Sequence, residues 1–304
     1  MIYLLLSLIL ACLTYLVYKI ADAGHYDSDS ITLYNYVVAA ALAITNAILH
    51  SQYEIFQYVL QGNLWTLTTV KSRSNTAVIL VVIGVLSGVF VAVNLFQTKN
   101  SIAANGAGIT SFFKQTGFIG GLFIAILFFG ERPSGMQWIG IAGIILALVL
   151  MVSDFGMLDI HGPKLLLALL LSGAIVEADN KFFSQYALGG YHIIFLAIAF
   201  SVAGIYSISC VFYKYRRNFS TFTFSVRELI WGSILGAGNL LNNYFKLKSL
   251  EMLPASVVIP TISAGTLILT TLIGALLYKE KVNRRMILSM AAAQISIVLL
   301  NLSA

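Results

Sequence analysis

The chain has 304 residues, of which 59% are hydrophobic and 10% are charged, and its formal net charge is +6. A soluble domain carries about 25% charged residues, so this composition excludes an ordinary soluble protein and predicts a membrane protein. The basic residues lie at the ends of apolar runs and in short connections, so the positive charge does not indicate a nucleic-acid partner.

Apolar runs long enough to cross a bilayer recur almost without pause. We therefore predict an all-α fold, a polytopic membrane protein with ten transmembrane helices. The predicted helices lie near residues 2–20, 31–49, 76–98, 102–130, 135–153, 163–186, 190–212, 226–248, 254–278 and 282–302. Most connections are short and carry turn residues, for example Lys99–Asn100 and Arg132–Ser134.

The connection from His50 to Asn75 is longer, polar and aromatic, and contains Lys71 and Arg73. We expect an ordinary solvated loop here. The alternative is a short interfacial helix around Tyr53–Leu60.

The two halves of the chain show weak internal similarity. Aligning the halves without a gap pairs Asn94 with Asn243, Phe96 with Phe245, Lys99 with Lys248 and Glu131 with Glu280. We therefore predict two five-helix repeats, residues 1–153 and 154–304. A five-helix unit repeated once is inverted in the membrane, because an odd number of crossings ends on the opposite side. Inverted repeats are typical of secondary transporters that bind substrate at mid-depth.

Three glycine pairs spaced one helical turn apart predict close helix packing. They are Gly84 with Gly88, Gly117 with Gly121, and Gly232 with Gly236.

Lys114 lies near the centre of the apolar stretch Ile102–Glu131. An ammonium group at mid-membrane depth costs at least ~2.5–3.5 kcal/mol, so it should face a protein interior or a wet cavity. The lysine stem cannot easily reach the interface from there. Lys114 is therefore the leading candidate for substrate contact.

A second group of charges lies in the predicted helix at 163–186, where Glu177, Asp179 and Lys181 occur. Glu177 and Lys181 are four residues apart and can pair on one face, which makes a self-satisfied ion pair one interpretation. In the other interpretation, Glu177 or Asp179 is the partner of Lys114 or a proton-accepting carboxylate. The interior charges balance, which favours a small zwitterion, a weak acid or an uncharged polar metabolite over a polyanion.

Asparagines form a polar stripe on the predicted helix at 226–248. Asn239, Asn242 and Asn243 share one helical face, and Asn94 is the counterpart in the first half. Such a stripe can line a cavity, and we predict that role. Alternatively, the asparagines only hold neighbouring helices together, through interhelical hydrogen bonds worth ~0.6–2 kcal/mol each.

Two segments carry a resemblance to a known family: LFFGERPSGMQWIGIAGIILALVLM at 127–151 and LPASVVIPTISAGTLILTTLIGALLYKEKV at 253–282. With the ten helices and the repeat, the chain resembles EamA-type members of the drug/metabolite transporter superfamily. The resemblance implies two inverted five-helix units, a central cavity and alternating access. Members move amino acids, other metabolites and drugs, and relatives carry nucleotide sugars or phosphorylated sugars.

We therefore expect a secondary transporter of a small polar metabolite, an exporter or exchanger in a cell membrane such as the bacterial cytoplasmic membrane. Its partners would be the substrate, the lipid bilayer and protons as coupling ion, in a monomer or homodimer. The alternatives are a transporter of phosphorylated or nucleotide-linked sugars and a non-transporting membrane sensor. No catalytic set or metal-ligand spacing occurs, so we expect no enzyme and no cofactor. Basic residues place the termini outside by the positive-inside rule, whereas the resemblance implies cytoplasmic termini.

Overall fold

A computed structural model describes residues 2–62, 66–69, 71–152, 162–216, 225–278 and 284–302. These residues form α-helices and one 3₁₀ helix, and they contain no β-strand. The α-helices are α1 (Ile2–Ala23), α2 (Ser28–Leu49), α3 (Arg73–Phe129), α4 (Gly135–Val152), α5 (Pro163–Tyr186), α6 (His192–Tyr215), α7 (Val226–Met252), α8 (Ala255–Tyr278) and α9 (Arg284–Leu302). The predicted all-α fold is confirmed.

Four helical segments within the described residues are long and apolar enough to cross a membrane. They are Ile2–Ala21, Ser28–Leu49, Arg73–Thr98 and His192–Tyr215. Shorter apolar segments occur in α3, α4, α8 and α9. These helices fit a membrane protein, as the composition predicts.

The turn predicted at Lys99–Asn100 is wrong, because α3 continues without interruption from Arg73 to Phe129. Neither residue is proline or glycine, so the helical hydrogen-bond ladder can pass through both. At 57 residues, α3 would be about 85 Å long if straight, far more than the ~30 Å of a hydrocarbon core.

The solvated loop predicted after α2 is also wrong in part. Residues Gln52–Gln61 form a 3₁₀ helix, close to the alternative predicted at Tyr53–Leu60. Ile55 is buried and fastens this helix, while most of its other side chains are exposed or half-buried.

The chain forms two compact units. The first contains residues 93–181 and 249–304, and the second contains residues 2–92 and 182–248. Each unit therefore combines segments from both halves of the sequence. The predicted repeats at 1–153 and 154–304 are defined by symmetry, whereas these units are defined by contacts. The repeats therefore stay a prediction.

In the second unit, α2 packs along α6 and glycines bring helices close together. A Cβ atom on Gly236 would lie 2.5 Å from the carbonyl oxygen of Asn35, so α7 touches the backbone of α2. A Cβ atom on Gly88 would lie 2.5 Å from the carbonyl oxygen of Ala199 in α6. The close packing predicted from these glycine pairs is confirmed.

In the first unit, α4 packs along α9, and α8 contacts both. Within the same unit, Gly117 and Gly121 bring α3 against α5, which confirms the third glycine pair. A Cβ atom on Gly121 would lie 2.6 Å from the Cβ atom of Glu177. This close approach positions the charged segment of α5 against α3.

Candidate functional site

Glu131 connects three elements of the first unit. Its Oε1 atom lies 2.7 Å from Nζ of Lys181 in α5, and both side chains are nearly buried. Its two carboxylate oxygens also accept hydrogen bonds from the first amides of α8, Ala255 N at 2.9 Å and Ser256 N at 3.0 Å. A carboxylate at this position satisfies amides that have no partner within the helix and complements the positive end of the helix dipole.

The same contacts determine the ionisation of Glu131, which lies in the connection between α3 and α4. Burial opposes the charged form, but the hydrogen bonds from Lys181, Ala255 and Ser256 outweigh it and hold the pKa of the Glu131 carboxyl below its usual value. Glu131 is therefore ionised at neutral pH and neutralises the buried ammonium of Lys181.

The ion pair between Glu177 and Lys181, one of the two interpretations of this segment, is not the pairing observed, because Lys181 pairs with Glu131. The spacing of four residues allows the first pairing. However, two backbone amides already orient the Glu131 carboxylate, so it is a more rigidly held partner for Lys181 than Glu177 is. Glu177 is half-buried and packs against Gly121 of α3.

Asp179 is the most deeply buried carboxylate in this part of α5, with 6% of its surface exposed. Its Oδ2 atom is buried and has no hydrogen-bond partner among the described residues. A buried carboxylate oxygen without a partner is costly when the group is charged, because its lost hydration is not replaced.

Lys114 lies in the part of α3 that belongs to the first unit, and its side chain is exposed. Among the residues that the structure describes, it forms no ion pair with Glu177 or Asp179, the two partners predicted for it. Helices therefore do not pack over the whole of this side chain. An ammonium group on an apolar helix is expected to face a protein interior or a water-filled cavity.

Asn94 forms an interhelical cluster in the first unit. Its Nδ2 atom donates to the carbonyl oxygen of Leu169 at 3.0 Å and to Oγ of Ser172 at 2.9 Å, both in α5. The Ser172 hydroxyl lies 2.8 Å from Oε1 of Gln97. The contacts of Asn94 therefore join α3 to α5.

Asn239 and Asn243 form a corresponding cluster in the second unit. Asn239 Nδ2 donates to Oδ1 of Asn35 in α2 at 3.3 Å, and Asn243 Nδ2 donates to Oδ1 of Asn239 at 2.8 Å. On the same helix, Asn242 Oδ1 accepts a hydrogen bond of 2.7 Å from Ser7 in α1. In this structure the asparagine stripe therefore makes interhelical hydrogen bonds, as the alternative interpretation predicts.

The partners that sequence reasoning missed are Asn35, Ser7 and Ser172. Each is a small polar residue inside an apolar helix, which is the signal that could have identified it. Which asparagine each one meets depends on how distant segments pack, and a single sequence does not contain that pairing.

The comparisons with known proteins bear on the fold. No protein-family model and no curated protein matches the sequence. The chain is similar to a solved structure described simply as the crystal structure of a protein, with a TM-score of 0.68 and 12% sequence identity. The similarity covers 99% of this chain and 96% of that chain. The two proteins therefore share a fold over nearly their whole length.

Proposed function

We propose that this protein is a secondary transporter that moves a small zwitterion or weak acid across a membrane by alternating access. The observation that carries the proposal is Asp179 in α5, which is 6% exposed and whose Oδ2 atom is buried without a hydrogen-bond partner among the described residues. Ionisable groups in apolar helices are costly, and their typical use is in substrate or proton pathways.

Asp179 is suited to carry the coupling proton, because interior carboxylates in membrane helices are typical members of proton pathways. Lys181, two residues along the helix, is neutralised by Glu131. Its ammonium is therefore already paired and does not serve as the counter-charge of Asp179.

Lys114 is the proposed contact for the anionic group of the substrate. Its side chain is exposed, and a charged group on an apolar helix is expected to face a water-filled opening rather than acyl chains. The asparagines would line the substrate path when they exchange their interhelical hydrogen bonds for hydrogen bonds to the substrate. They are Asn94, Asn239, Asn242 and Asn243.

Helix pairing supports the inverted five-helix repeats of an EamA-type transporter. Counted as two spans, the 57-residue α3 contains the third and fourth of the ten predicted spans. In that count α2 and α6 are the second and seventh, while α4 and α9 are the fifth and tenth. Both pairs pack along each other, and each joins helices that the repeat would relate by symmetry. Contact between symmetry mates is expected where they lie beside the axis of an inverted repeat.

The test uses purified protein in proteoliposomes. A thermal-shift screen against amino acids, organic acids, sugars and amines first selects a ligand, and counterflow and pH-driven uptake of that ligand are then measured. We expect Asp179→Asn to abolish pH-driven accumulation while retaining counterflow, because exchange needs no net proton movement. The control is Glu251→Gln, which removes an exposed carboxylate at the end of α7.

Three results decide the proposal. Counterflow by the wild type supports transport, and unchanged pH-driven uptake by Asp179→Asn would remove Asp179 from the coupling step. Ligand-dependent stabilisation without any flux would establish the sensor function instead.

A further inference from the structure

A polar cavity of about 320 Å³ lies in the second unit, where three apolar helices begin or end. It is lined by the junction of α2 with the 3₁₀ helix, by the first residue of α3, and by the turn between α5 and α6. Its volume is at the lower end of the range for small-molecule sites. Its position at the ends of the spans places it at the membrane surface rather than at mid-depth.

Hydrogen bonds hold the walls of this cavity together. Gln52 Nε2 donates to the carbonyl oxygen of Gly190 at 2.9 Å, which ties the 3₁₀ helix to the turn before α6. The amide of Leu188 donates to Oγ1 of Thr76 at 3.0 Å, which ties the same turn to α3. The cavity is therefore preformed, and a ligand would not need to order its walls.

Two opposite charges line the cavity without forming an ion pair with each other. Arg73 and Glu54 both line it and are both exposed. Neither forms an ion pair within the described part of the chain. The Arg73 guanidinium also donates a hydrogen bond to Tyr58. Its remaining N–H donors and the Glu54 carboxylate are available to ligand groups of opposite sign.

Aromatic rings complete the lining. The guanidinium of Arg73 lies 6.0 Å from the ring centroid of Tyr58, and Tyr191 lines the cavity as well. A guanidinium over a ring keeps its N–H donors in its own plane, where they can still bind a carboxylate at two points. The tyrosine rings offer apolar faces and also favour a nearby ammonium group.

We propose that this cavity is a binding site for a zwitterion of amino-acid size with an apolar body. Arg73 binds the carboxylate, Glu54 binds the ammonium, and Tyr58 and Tyr191 contact the apolar part. The site is separate from the residues assigned to transport, and it stands whether or not the protein transports.

The test uses three ligands that share a phenyl ring and differ in their charged groups. L-Phenylalanine carries an ammonium and a carboxylate, 2-phenylethylamine only the ammonium, and 3-phenylpropionate only the carboxylate. Binding to the purified full chain in detergent is measured by calorimetry. We expect phenylalanine to bind at least about tenfold more tightly than either analogue, the factor that one charge-assisted hydrogen bond supplies.

Two variants identify which charge recognises which group. Arg73→Gln should weaken phenylalanine and phenylpropionate but not phenylethylamine, and Glu54→Gln should weaken phenylalanine and phenylethylamine but not phenylpropionate. Lys164→Gln, at an exposed lysine near the start of α5, is the matched control and should change none of the three affinities. The two variants test the two charges independently. If one variant misfolds, the pattern of affinities in the other still decides the proposal.

Several outcomes would overturn the proposal. They are absence of saturable phenylalanine binding, equal affinity for the three ligands, and an equal loss for all three ligands in both variants. Loss of binding in Lys114→Met would also overturn it, because the ligand would then occupy the transport site. Persistence of binding in Lys114→Met supports a separate site.

Discussion

Lys181 and Glu131 form an ion pair of 2.7 Å between α5 and the connection that follows α3. The same carboxylate accepts two backbone hydrogen bonds from the start of α8. One side chain thus holds three segments of the first unit that are distant in sequence. Because both members are nearly buried, the loss of either one leaves an uncompensated charge.

The first prediction is a strong energetic coupling between these two residues. Lys181→Met and Glu131→Gln should each lower the free energy of unfolding by about 3 kcal/mol or more, because each leaves its partner buried and unpaired. The double variant should be less destabilised than the sum of the two by about 1–3 kcal/mol. Unfolding of the four proteins in mixed micelles measures this cycle, and simple additivity would show that the residues act independently.

The second prediction concerns pH. The pKa of Glu131 is held below its usual value in the folded protein. Its contribution to stability is therefore complete above the unfolded value of about 4.3 and is lost as the pH falls below it. The difference in melting temperature between wild type and Glu131→Gln should be constant from pH 8 to about 5 and shrink toward pH 3. A difference that stays constant to pH 3 would contradict the assigned ionisation.

The third prediction tests close helix packing at Gly236. A Cβ atom there would lie 2.5 Å from the carbonyl oxygen of Asn35 and 3.2 Å from the amide nitrogen of Ala39. Because both are backbone atoms of α2, that helix must shift, and Gly236→Ala should cost about 1–3 kcal/mol. Gly135→Ala is the matched control, since a Cβ atom there meets nothing within 4 Å. Equal melting temperatures for the two variants would contradict the close approach of α2 and α7.

Local patterns predict much of the helical structure. The predicted helix at 163–186 coincides with α5, because its apolar run is bounded by Pro163 and by the glycines that follow Tyr186. The turn predicted at Lys99–Asn100 is wrong because no helix-breaking residue is present there, and two polar residues alone do not terminate a helix. Helix formation depends on neighbours along the chain, so sequence reasoning succeeds where strong breakers are present.

Tertiary pairing lies beyond a single sequence. The spacing of Glu177 and Lys181 satisfies a helical rule, yet Lys181 pairs with Glu131, a residue fifty positions earlier in the chain. Likewise, the helical stripe containing Asn239 is visible in the sequence, whereas its partner Asn35 is determined by the contact between α2 and α7. Patterns of burial and polarity thus indicate which residues need partners, and the packing of distant segments decides which partners they receive.

The fourth prediction separates structure from function at Lys114. The side chain is exposed and forms no ion pair among the described residues, so Lys114→Met should change the free energy of unfolding in detergent by less than about 1 kcal/mol. If Lys114 binds the anionic group of the substrate, the same variant should lose uptake in proteoliposomes. The control is Lys164→Met, which removes an exposed lysine near the start of α5 and should retain uptake. Normal uptake by Lys114→Met would remove this lysine from the transport site, whereas a large drop in melting temperature would assign it a structural role instead.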